Sequence, residues 1–260
     1  MPATELPIEE PADWEEPAGR LIQALKQNAF ELYAQRIIAL DRPRSVPMAE
    51  VLVRMREEEE RLLPPGAFLP IFERLGMMPD LDRWVMRRAL AQLARGSRVP
   101  CLSLNISAQT LSDPEFLSEM AAQLARHRLR PAVLVLEITQ DDIVGRPASV
   151  EQFAAAARRL GTQLTIDGFG SSEISAASLQ ALRPSYVKVD RSIVRGLASS
   201  PAARRRLEAA VRIGRKTGIG VICECVETRE VLAAVRSAGA GFAQGYGIHV
   251  PESIGRALAR

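Results

Sequence analysis

Short apolar segments that end in a chemically active polar side chain recur from residue 101 onward. In order they read CLSLNIS, VLVLEIT, QLTIDGF, YVKVD, GVICECVE and FAQGYGI. Their alternation and their β-branched residues predict β-strands, and packing alone gives no reason for a charge at the end of a buried strand. The polar residues concerned are Asn105, Glu137, Asp167, Lys188, Asp190, Glu224, Glu227 and Gln244.

The stretches between these segments are rich in Ala, Leu and Arg and are predicted to be helices. Asn105, Glu137 and Asp167 follow one another at intervals of roughly 30 residues, the length of one βα unit. Repeated βα units predict an α/β fold, here a (β/α)8 barrel, which has its active site at the C-terminal ends of the strands. The polar strand ends would therefore meet on one rim.

Two earlier segments are also predicted to be strands. FELYAQRIIAL at 30–40 contains Gln35, and MAEVLVRM at 48–55 contains Glu50 and Arg54. With Glu50 added, the rim has more carboxylates than can ionise side by side, because repulsion raises their pKa values. A divalent cation would relieve this repulsion, and oxygen ligands without Cys or His favour Mg²⁺ or Mn²⁺ over zinc. Such ions serve phosphoryl chemistry.

The overall composition excludes some classes of function. The chain has 260 residues, of which 47% are apolar, enough for one barrel with a sizeable core. The net charge is +3 and the basic residues are dispersed, so a nucleic-acid polymer is not an expected partner. The basic run at 204–206 is interpreted as the solvated face of a helix.

Cysteine usage and hydropathy bear on location. Cys101, Cys223 and Cys225 are an odd number without framework spacing, which predicts a reducing compartment and a cytoplasmic protein. Alternation would turn Cys223 and Cys225 away from the strand face of Glu224, which favours buried thiols over metal ligands. No run of about 18 apolar residues indicates a membrane span, and no secretory signal pattern is present.

The chain is predicted to have two parts. Residues 1–19, rich in Glu and Pro, indicate a disordered acidic tail, and residues 20–260 are expected to form a single barrel domain. The four glutamates at 57–60 are interpreted as a solvated loop or helix start. Ser149 is expected to cap one of the helices. The helices are predicted at 20–27, 81–95, 114–127, 150–160, 201–217 and 228–238.

The order of the motifs resembles one protein family over residues 28–252. AEVLVRM, PPGAFLPIFERLGMM and LDRWVM match its first segments, and LNIS, LEIT, IDGFG, VKVD, ECVET and QGYGI follow in the family order. On these motifs the chain is identified as a member of the EAL domain family, the cyclic di-GMP phosphodiesterases and their non-catalytic relatives. The resemblance implies a TIM-like barrel of the EAL type with a two-metal site and cyclic di-GMP held in extended form.

The resemblance also implies roles for individual residues. Lys188 and Glu224 would position or deprotonate the attacking water. The first metal ion, Mg²⁺ or Mn²⁺, would be held by Glu50, Asn105, Glu137 and Asp167, the last bridging to a second ion. Arg54 would meet a ligand phosphate and Gln35 would lie beside the nucleotide. The residues expected to bind the ligand or support the site are Gln35, Arg54, Asp190, Glu227 and Gln244.

Structural roles are the alternative for three of these residues. Lys188 could simply neutralise Asp167, Asp190 could pair with Arg191, and Glu227 could cap the following helix. The order of the motifs favours a site role for Lys188 and leaves the other two undecided.

Several positions depart from the family pattern. Asp167 is followed by Gly168 where the family has a second aspartate. Glycine offers no carboxylate, so the second metal ion loses a ligand and hydrolysis is expected to fall by orders of magnitude. The next residues, GSSEIS at 170–175, replace Gly-Thr-Gly-Tyr-Ser-Ser in a loop that couples dimerisation to metal binding in the family. A proline, a glutamate and a glycine of the family are replaced by Arg36, Gln140 and Cys225.

Three functions are compatible with this pattern. The first is a degenerate EAL domain that binds cyclic di-GMP and signals to a protein partner with little or no hydrolysis. The second is a slow Mg²⁺- or Mn²⁺-dependent phosphodiesterase giving pGpG, since almost every other catalytic position is present. The third is a protein-binding regulator that no longer binds nucleotide, against which the retained buried-site carboxylates argue. A homodimer is a further expectation.

Overall fold

A computed structural model describes residues 14, 16–42, 45–56, 62–171 and 174–259. Most of the predicted tail, the four glutamates at 57–60 and part of the altered loop lie outside the described residues. The elements, in chain order, are α1 (Pro17–Lys26), β1 (Phe30–Ala39), β2 (Met48–Arg56), β3 (Leu62–Leu63), α2 (Pro65–Arg74), α3 (Met78–Ala94), β4 (Cys101–Asn105), α4 (Phe116–His127), β5 (Leu134–Thr139), α5 (Gln140–Gly145), α6 (Pro147–Leu160), β6 (Gln163–Phe169), α7 (Ala176–Leu182), β7 (Tyr186–Val189), α8 (Arg191–Arg195), α9 (Pro201–Thr217), β8 (Gly220–Cys223), α10 (Arg229–Ala238), β9 (Phe242–Ala243), β10 (Glu252–Ser253) and α11 (Ile254–Ala259).

Eight strands close into a barrel in the order β1-β9-β8-β7-β6-β5-β4-β2, with β2 pairing back onto β1. The predicted TIM-like α/β barrel is therefore confirmed. One strand runs against the other seven, since β1 is antiparallel to both β2 and β9. The connection at 40–47 is too short for the crossover that a parallel pair needs, and a direct turn makes the pair antiparallel.

Most predicted elements are present, and the differences have local causes. Ser149 does not cap a helix: α6 begins at Pro147, and its N-cap residue Arg146 makes no side-chain cap. Proline is favoured in the first helical turn because its φ is already helical, so the helix starts earlier than expected. Similarly, α1 begins at Pro17, and the predicted boundary at residue 19 falls inside that helix.

An aromatic cluster fixes the hairpin of β1 and β2 at the end where the site forms. The Phe30 ring lies 5.5 Å from Phe68, 5.8 Å from Phe72 and 5.6 Å from Trp84, centroid to centroid. Met55 packs into the same cluster and is directly followed by the end of β2. Helices α2 and α3 therefore hold this strand end in place.

In the described part of the chain, no helix is long and apolar enough to cross a membrane.

Candidate ligand and metal site at the barrel rim

Strand register places the predicted site residues on neighbouring strands of the barrel. Asn105 is the register partner of Glu137, and Asp167 is the partner of Thr139 one strand further. β2 is the other neighbour of β4, and its Glu50 is opposite Gln35 in the antiparallel pair with β1. Because neighbouring strands lie about 4.8 Å apart, these side chains converge on a common rim.

Lys188 lies at the centre of the site and is 1% exposed. Its Nζ donates to Glu50 Oε2 at 2.8 Å and to Glu137 Oε1 at 2.6 Å. Burial would lower the pKa of this ammonium, but the carboxylates of Glu137, Glu50, Asp167 and Glu224 outweigh burial and raise the pKa well above its ordinary value. The lysine is therefore charged. Its hydrogen-bond partners are Glu50 and Glu137, so neutralising the charge of Asp167 is not its only role.

Glu50 is the best satisfied carboxylate of the group. Besides Lys188, it accepts hydrogen bonds from Asn105 Nδ2 at 3.0 Å and from Gln244 Nε2 at 2.6 Å. Burial works to raise the pKa of Glu50, but the charge of Lys188 and these hydrogen bonds lower it overall. Glu50 is consequently ionised, and it joins both sides of the rim.

If all were ionised, the other carboxylates would hold more negative charge than one lysine can balance. Burial, with repulsion from Glu50 and Asp167, raises the pKa of Glu137 to about 8 despite Lys188. Burial and the same kind of repulsion raise the pKa of Glu224 to about 7. The pKa of Asp167 is also raised, first by burial, although the backbone N–H of the next residue donates to it at 2.8 Å. The site would therefore attract a further cation.

The donor set fits one hard divalent cation better than two. In the described ranges, no group of three His, Cys, Asp or Glu side chains is already arranged to hold a metal ion. The chemistry of the donors nevertheless suits Mg²⁺ or Mn²⁺, because buried carboxylates with raised pKa values are incompletely compensated. The residues that would hold such an ion are Glu50, Asn105, Glu137 and Asp167.

Gly168 is the position at which a second cation would lack a ligand. Its φ is +70°, and among the described residues an added Cβ would have only Ser171 Oγ within 4 Å, at 3.7 Å, apart from its chain neighbours. The described residues therefore leave space for a Cβ. What is missing is the carboxylate itself.

Three of the polar side chains predicted to bind the ligand, Gln35, Arg54 and Gln244, lie on β1, on β2 and just after β9. Gln244 Nε2 donates to Gln35 Oε1 at 2.9 Å, and Gln35 Nε2 donates to the His249 carbonyl at 2.8 Å. Gln244 Oε1 is buried and has no hydrogen-bond partner among the described residues. Arg54 donates to the Val53 carbonyl at 2.9 Å, and no carboxylate of the described residues forms an ion pair with it. Its guanidinium is available for a phosphate.

Asp190 and Glu227 have different surroundings from the central group. Asp190 lies beyond β7 and caps α8, accepting from Ser192 N at 3.0 Å, and its charge contributes to the raised pKa of Asp167. Glu227 is exposed, and the cap of α10 is Thr228, so the interpretation of Glu227 as that cap is wrong. Ligand contacts of both residues stay predictions.

The altered loop after β6 forms hydrogen bonds with side chains from two helices, α5 and α9. Gly170 N donates to Gln140 Oε1 at 3.0 Å, and Arg206 donates to the Gly170 carbonyl. The run at 204–206 is exposed, as expected. It is not merely solvated, since Arg206 and Arg204 both bond backbone carbonyls.

The cysteines do not behave as alternate residues of one strand. β8 ends at Cys223, and Cys225 lies beyond it in the left-handed region with φ +55°. Burial raises the pKa of Cys223 to about 12 and that of Cys225 to about 11. Both thiols are therefore protonated at neutral pH, which makes them poor metal ligands.

Sequence reasoning missed three polar residues that the structure adds. Ser103 is buried and donates to Glu137 Oε2 at 2.9 Å. Thr165 is buried in the barrel interior, with no partner for its hydroxyl among the described residues. Both lie two positions before a predicted site residue, so strand alternation could have found them. Asp82, on α3, is the third, and no local pattern marks it.

The barrel and its oxygen-rich rim define the class of an α/β barrel with a cluster of polar side chains at its strand ends. The EAL domain family model matches residues 18–251, and the chain belongs to the EAL domain family. It is 29% identical over 239 residues to the cyclic di-GMP phosphodiesterase PdeF of Escherichia coli K12, covering 91% of this chain and 32% of PdeF. It is 32% identical over 230 residues to the cyclic di-GMP phosphodiesterase NbdA of Pseudomonas aeruginosa PAO1, covering 87% of this chain and 29% of NbdA. The chain thus spans about a third of the length of these relatives.

Two solved structures are similar over nearly the whole chain. The PaMucR phosphodiesterase in complex with c-di-GMP gives a TM-score of 0.86 at 26% identity, covering 93% of this chain and 99% of that one. The FimX EAL domain of Pseudomonas aeruginosa bound to c-di-GMP gives 0.81 at 28% identity, covering 91% and 96%.

Proposed function

We propose that this domain binds cyclic di-GMP at the barrel rim and signals its occupancy to a protein partner, with little or no hydrolysis. The proposal rests on one combination of features. The rim has a cluster of polar and charged side chains, and position 168 has glycine instead of a carboxylate. Similarity to proteins named as cyclic di-GMP phosphodiesterases and to two domains solved with c-di-GMP supports the choice of ligand.

Ligand binding would rest on the chain's own polar groups. Arg54 would pair with a phosphate, because its guanidinium has no ionic partner in the described residues. Gln35 and Gln244, whose side chains are joined by a hydrogen bond, would lie beside the nucleotide. Asp190 and Glu227 would support the site from its edge.

The domain division at 20–260, the homodimer and the cytoplasmic location stay predictions.

A divalent cation, Mg²⁺ or Mn²⁺, would neutralise phosphate oxygens when bound. Glu50, Asn105, Glu137 and Asp167 would hold it. The ammonium of Lys188 already bonds Glu50 and Glu137, so it competes with the cation for these two carboxylates. With no carboxylate at Gly168, a second cation would be weakly held. Both features favour binding over turnover.

A slow phosphodiesterase giving pGpG is the second candidate, and one observation favours it. The pKa of Glu224 is raised to about 7, close to the working pH of a general base. Part of the Glu224 population would be ionised at neutral pH and could accept a proton from water, with Lys188 nearby to orient the nucleophile. A real but low turnover would follow.

Calorimetric titration of cyclic di-GMP into the purified protein tests the proposal, with Ca²⁺ present to occupy the cation site while suppressing turnover. We expect saturable binding in the micromolar range or tighter, weakened in Arg54→Ala. A turnover assay with Mg²⁺ or Mn²⁺ then separates the two candidates: steady conversion to pGpG at ordinary enzyme rates would rule out the receptor. No binding to a folded protein would rule out both and leave a protein-binding regulator without nucleotide.

A further inference from the structure

Asp82 is a buried carboxylate on α3 whose hydrogen-bond partners all lie in the loop after β4. Its Oδ2 accepts from Ser107 N at 2.9 Å and from Thr110 Oγ1 at 2.7 Å. The residue is 8% exposed, and no Lys or Arg in the described part of the chain forms an ion pair with it. Burying a carboxylate without a counter-ion is costly, so packing does not explain its presence.

The loop that Asp82 contacts is also stabilised by hydrogen bonds between its own residues. Ser107 Oγ donates to Thr110 Oγ1 at 3.0 Å and accepts from Thr110 N at 3.2 Å. Gln109 fastens the other side, donating to the Glu73 carbonyl at 2.7 Å and accepting from Met78 N at 3.2 Å. The outer helices α2 and α3 thus set where this loop lies.

The same loop begins at the predicted metal ligand Asn105. Ser107 is two residues beyond it, and the intervening Ile106 N donates to the Glu137 carbonyl at 2.9 Å. Asn105 is itself exposed, so tight packing does not orient its side chain. Its Nδ2 nevertheless meets Glu50 Oε1 at 3.0 Å. The position of the backbone must therefore determine where this amide points.

We propose that Asp82 is a positioning residue: by holding Ser107 and Thr110 it fixes the backbone that carries Asn105 and sets that amide against Glu50. The consequence for ligand and cation binding rests on the proposed function. The positioning itself does not, because it concerns the protein without ligand.

Nuclear magnetic resonance of the ligand-free protein tests the positioning. The side-chain amide signal of Asn105 is assigned by its loss in Asn105→Ala. In Asp82→Ala, which leaves the Ser107 N–H without its acceptor, we expect this signal to shift or broaden. Asp82→Asn keeps an acceptor oxygen and should restore the native signal. An unchanged signal in folded Asp82→Ala would overturn the proposal.

A matched control separates positioning from general destabilisation. Ala89→Gly weakens the same helix at a fully buried position that makes none of these loop contacts. An equal shift of the Asn105 signal in that variant would overturn the proposal. If Asp82→Ala fails to fold, Thr110→Val removes one of the two donors while keeping the side-chain volume, and it should shift the signal in the same direction.

A double-mutant cycle tests the effect on binding. Asp82→Ala should weaken cyclic di-GMP affinity at least about tenfold with Ca²⁺ present, and it should weaken affinity no further in an Asn105→Ala background. Additive losses would show that Asp82 does not act through Asn105. If the unmodified protein binds no cyclic di-GMP, the proposed function fails, while the resonance experiment still decides the positioning.

Discussion

Restoring a carboxylate at Gly168 should restore hydrolysis at a small cost in stability. The φ of +70° disfavours a side chain by about 1–2 kcal/mol, with Asp among the better tolerated residues. Among the described residues an added Cβ has one neighbour within 4 Å, at 3.7 Å, apart from its chain neighbours, so these residues add no clash to this cost. We therefore expect Gly168→Asp to fold and to lose about 1 kcal/mol, which lowers Tm by roughly 2–4 °C for a chain of this size.

The new carboxylate would extend from the residue next to Asp167, whose own carboxylate is repelled by Glu50 and Asp190. Without a cation it adds repulsion, because the pKa of Asp167 is already raised. A second Mn²⁺ or Mg²⁺ would attract the new carboxylate and offset its repulsion from Asp167. A second ion can also stabilise the charge that develops during phosphodiester cleavage. We expect cyclic di-GMP hydrolysis to rise at least about 100-fold, equivalent to ~2.7 kcal/mol of activation free energy.

The assay is the steady-state rate of pGpG formation with saturating Mn²⁺, followed by chromatography. Gly168→Ala is the matched control, because it has the same backbone cost without a ligand, and its rate should equal that of the unmodified protein. The reasoning is refuted if Gly168→Asp is folded, binds cyclic di-GMP and hydrolyses it no faster than Gly168→Ala.

Three further changes follow from the site. Lys188→Met should reduce the free energy of unfolding by about 3–5 kcal/mol in urea denaturation, since it leaves two buried carboxylates without their cation. Arg54→Ala should weaken cyclic di-GMP binding about tenfold or more in calorimetry, with little change in Tm. Glu137 and Glu224 have pKa values of about 8 and about 7, above the ordinary 4.5, so the folded protein holds more protons than the unfolded chain within that window. The free energy of unfolding should therefore fall as pH rises from about 5 to about 8, and Mn²⁺ should raise Tm more at the upper end.

The controls for these predictions come from the same molecule. Lys216→Met removes an exposed lysine and should change the unfolding free energy by less than about 0.5 kcal/mol. Arg56→Ala removes an exposed arginine near Arg54 and should leave ligand affinity unchanged. A stability that is constant or rises over the stated pH window would contradict the raised pKa values.

Much of the barrel could be predicted from the order of residue types. Strand alternation and βα spacing place Asn105, Glu137 and Asp167 at equivalent strand ends, and the closed barrel then brings them to one rim. These are properties of short stretches of chain, so they are visible without coordinates. The loss of a carboxylate at Gly168 is visible in the same way.

Helix and strand ends were less predictable, because the structure around them competes with local patterns. Pro147 starts its helix before Ser149 can act as a cap. Cys225 lies beyond the end of β8 and has a positive φ, so the alternation expected for the C-x-C pair does not extend to it. Neither outcome changes the fold, but both change what nearby side chains can reach.

Residue identity and order determined the fold, the list of oxygen donors and the missing carboxylate at Gly168. Only the tertiary structure decided that Lys188 bonds Glu50 and Glu137, and that Asp82 holds the loop of Asn105 from an outer helix. Such pairs lie far apart along the chain and meet only through strand register and helix packing. Their protonation depends on burial and on all neighbouring charges together, which no local pattern contains.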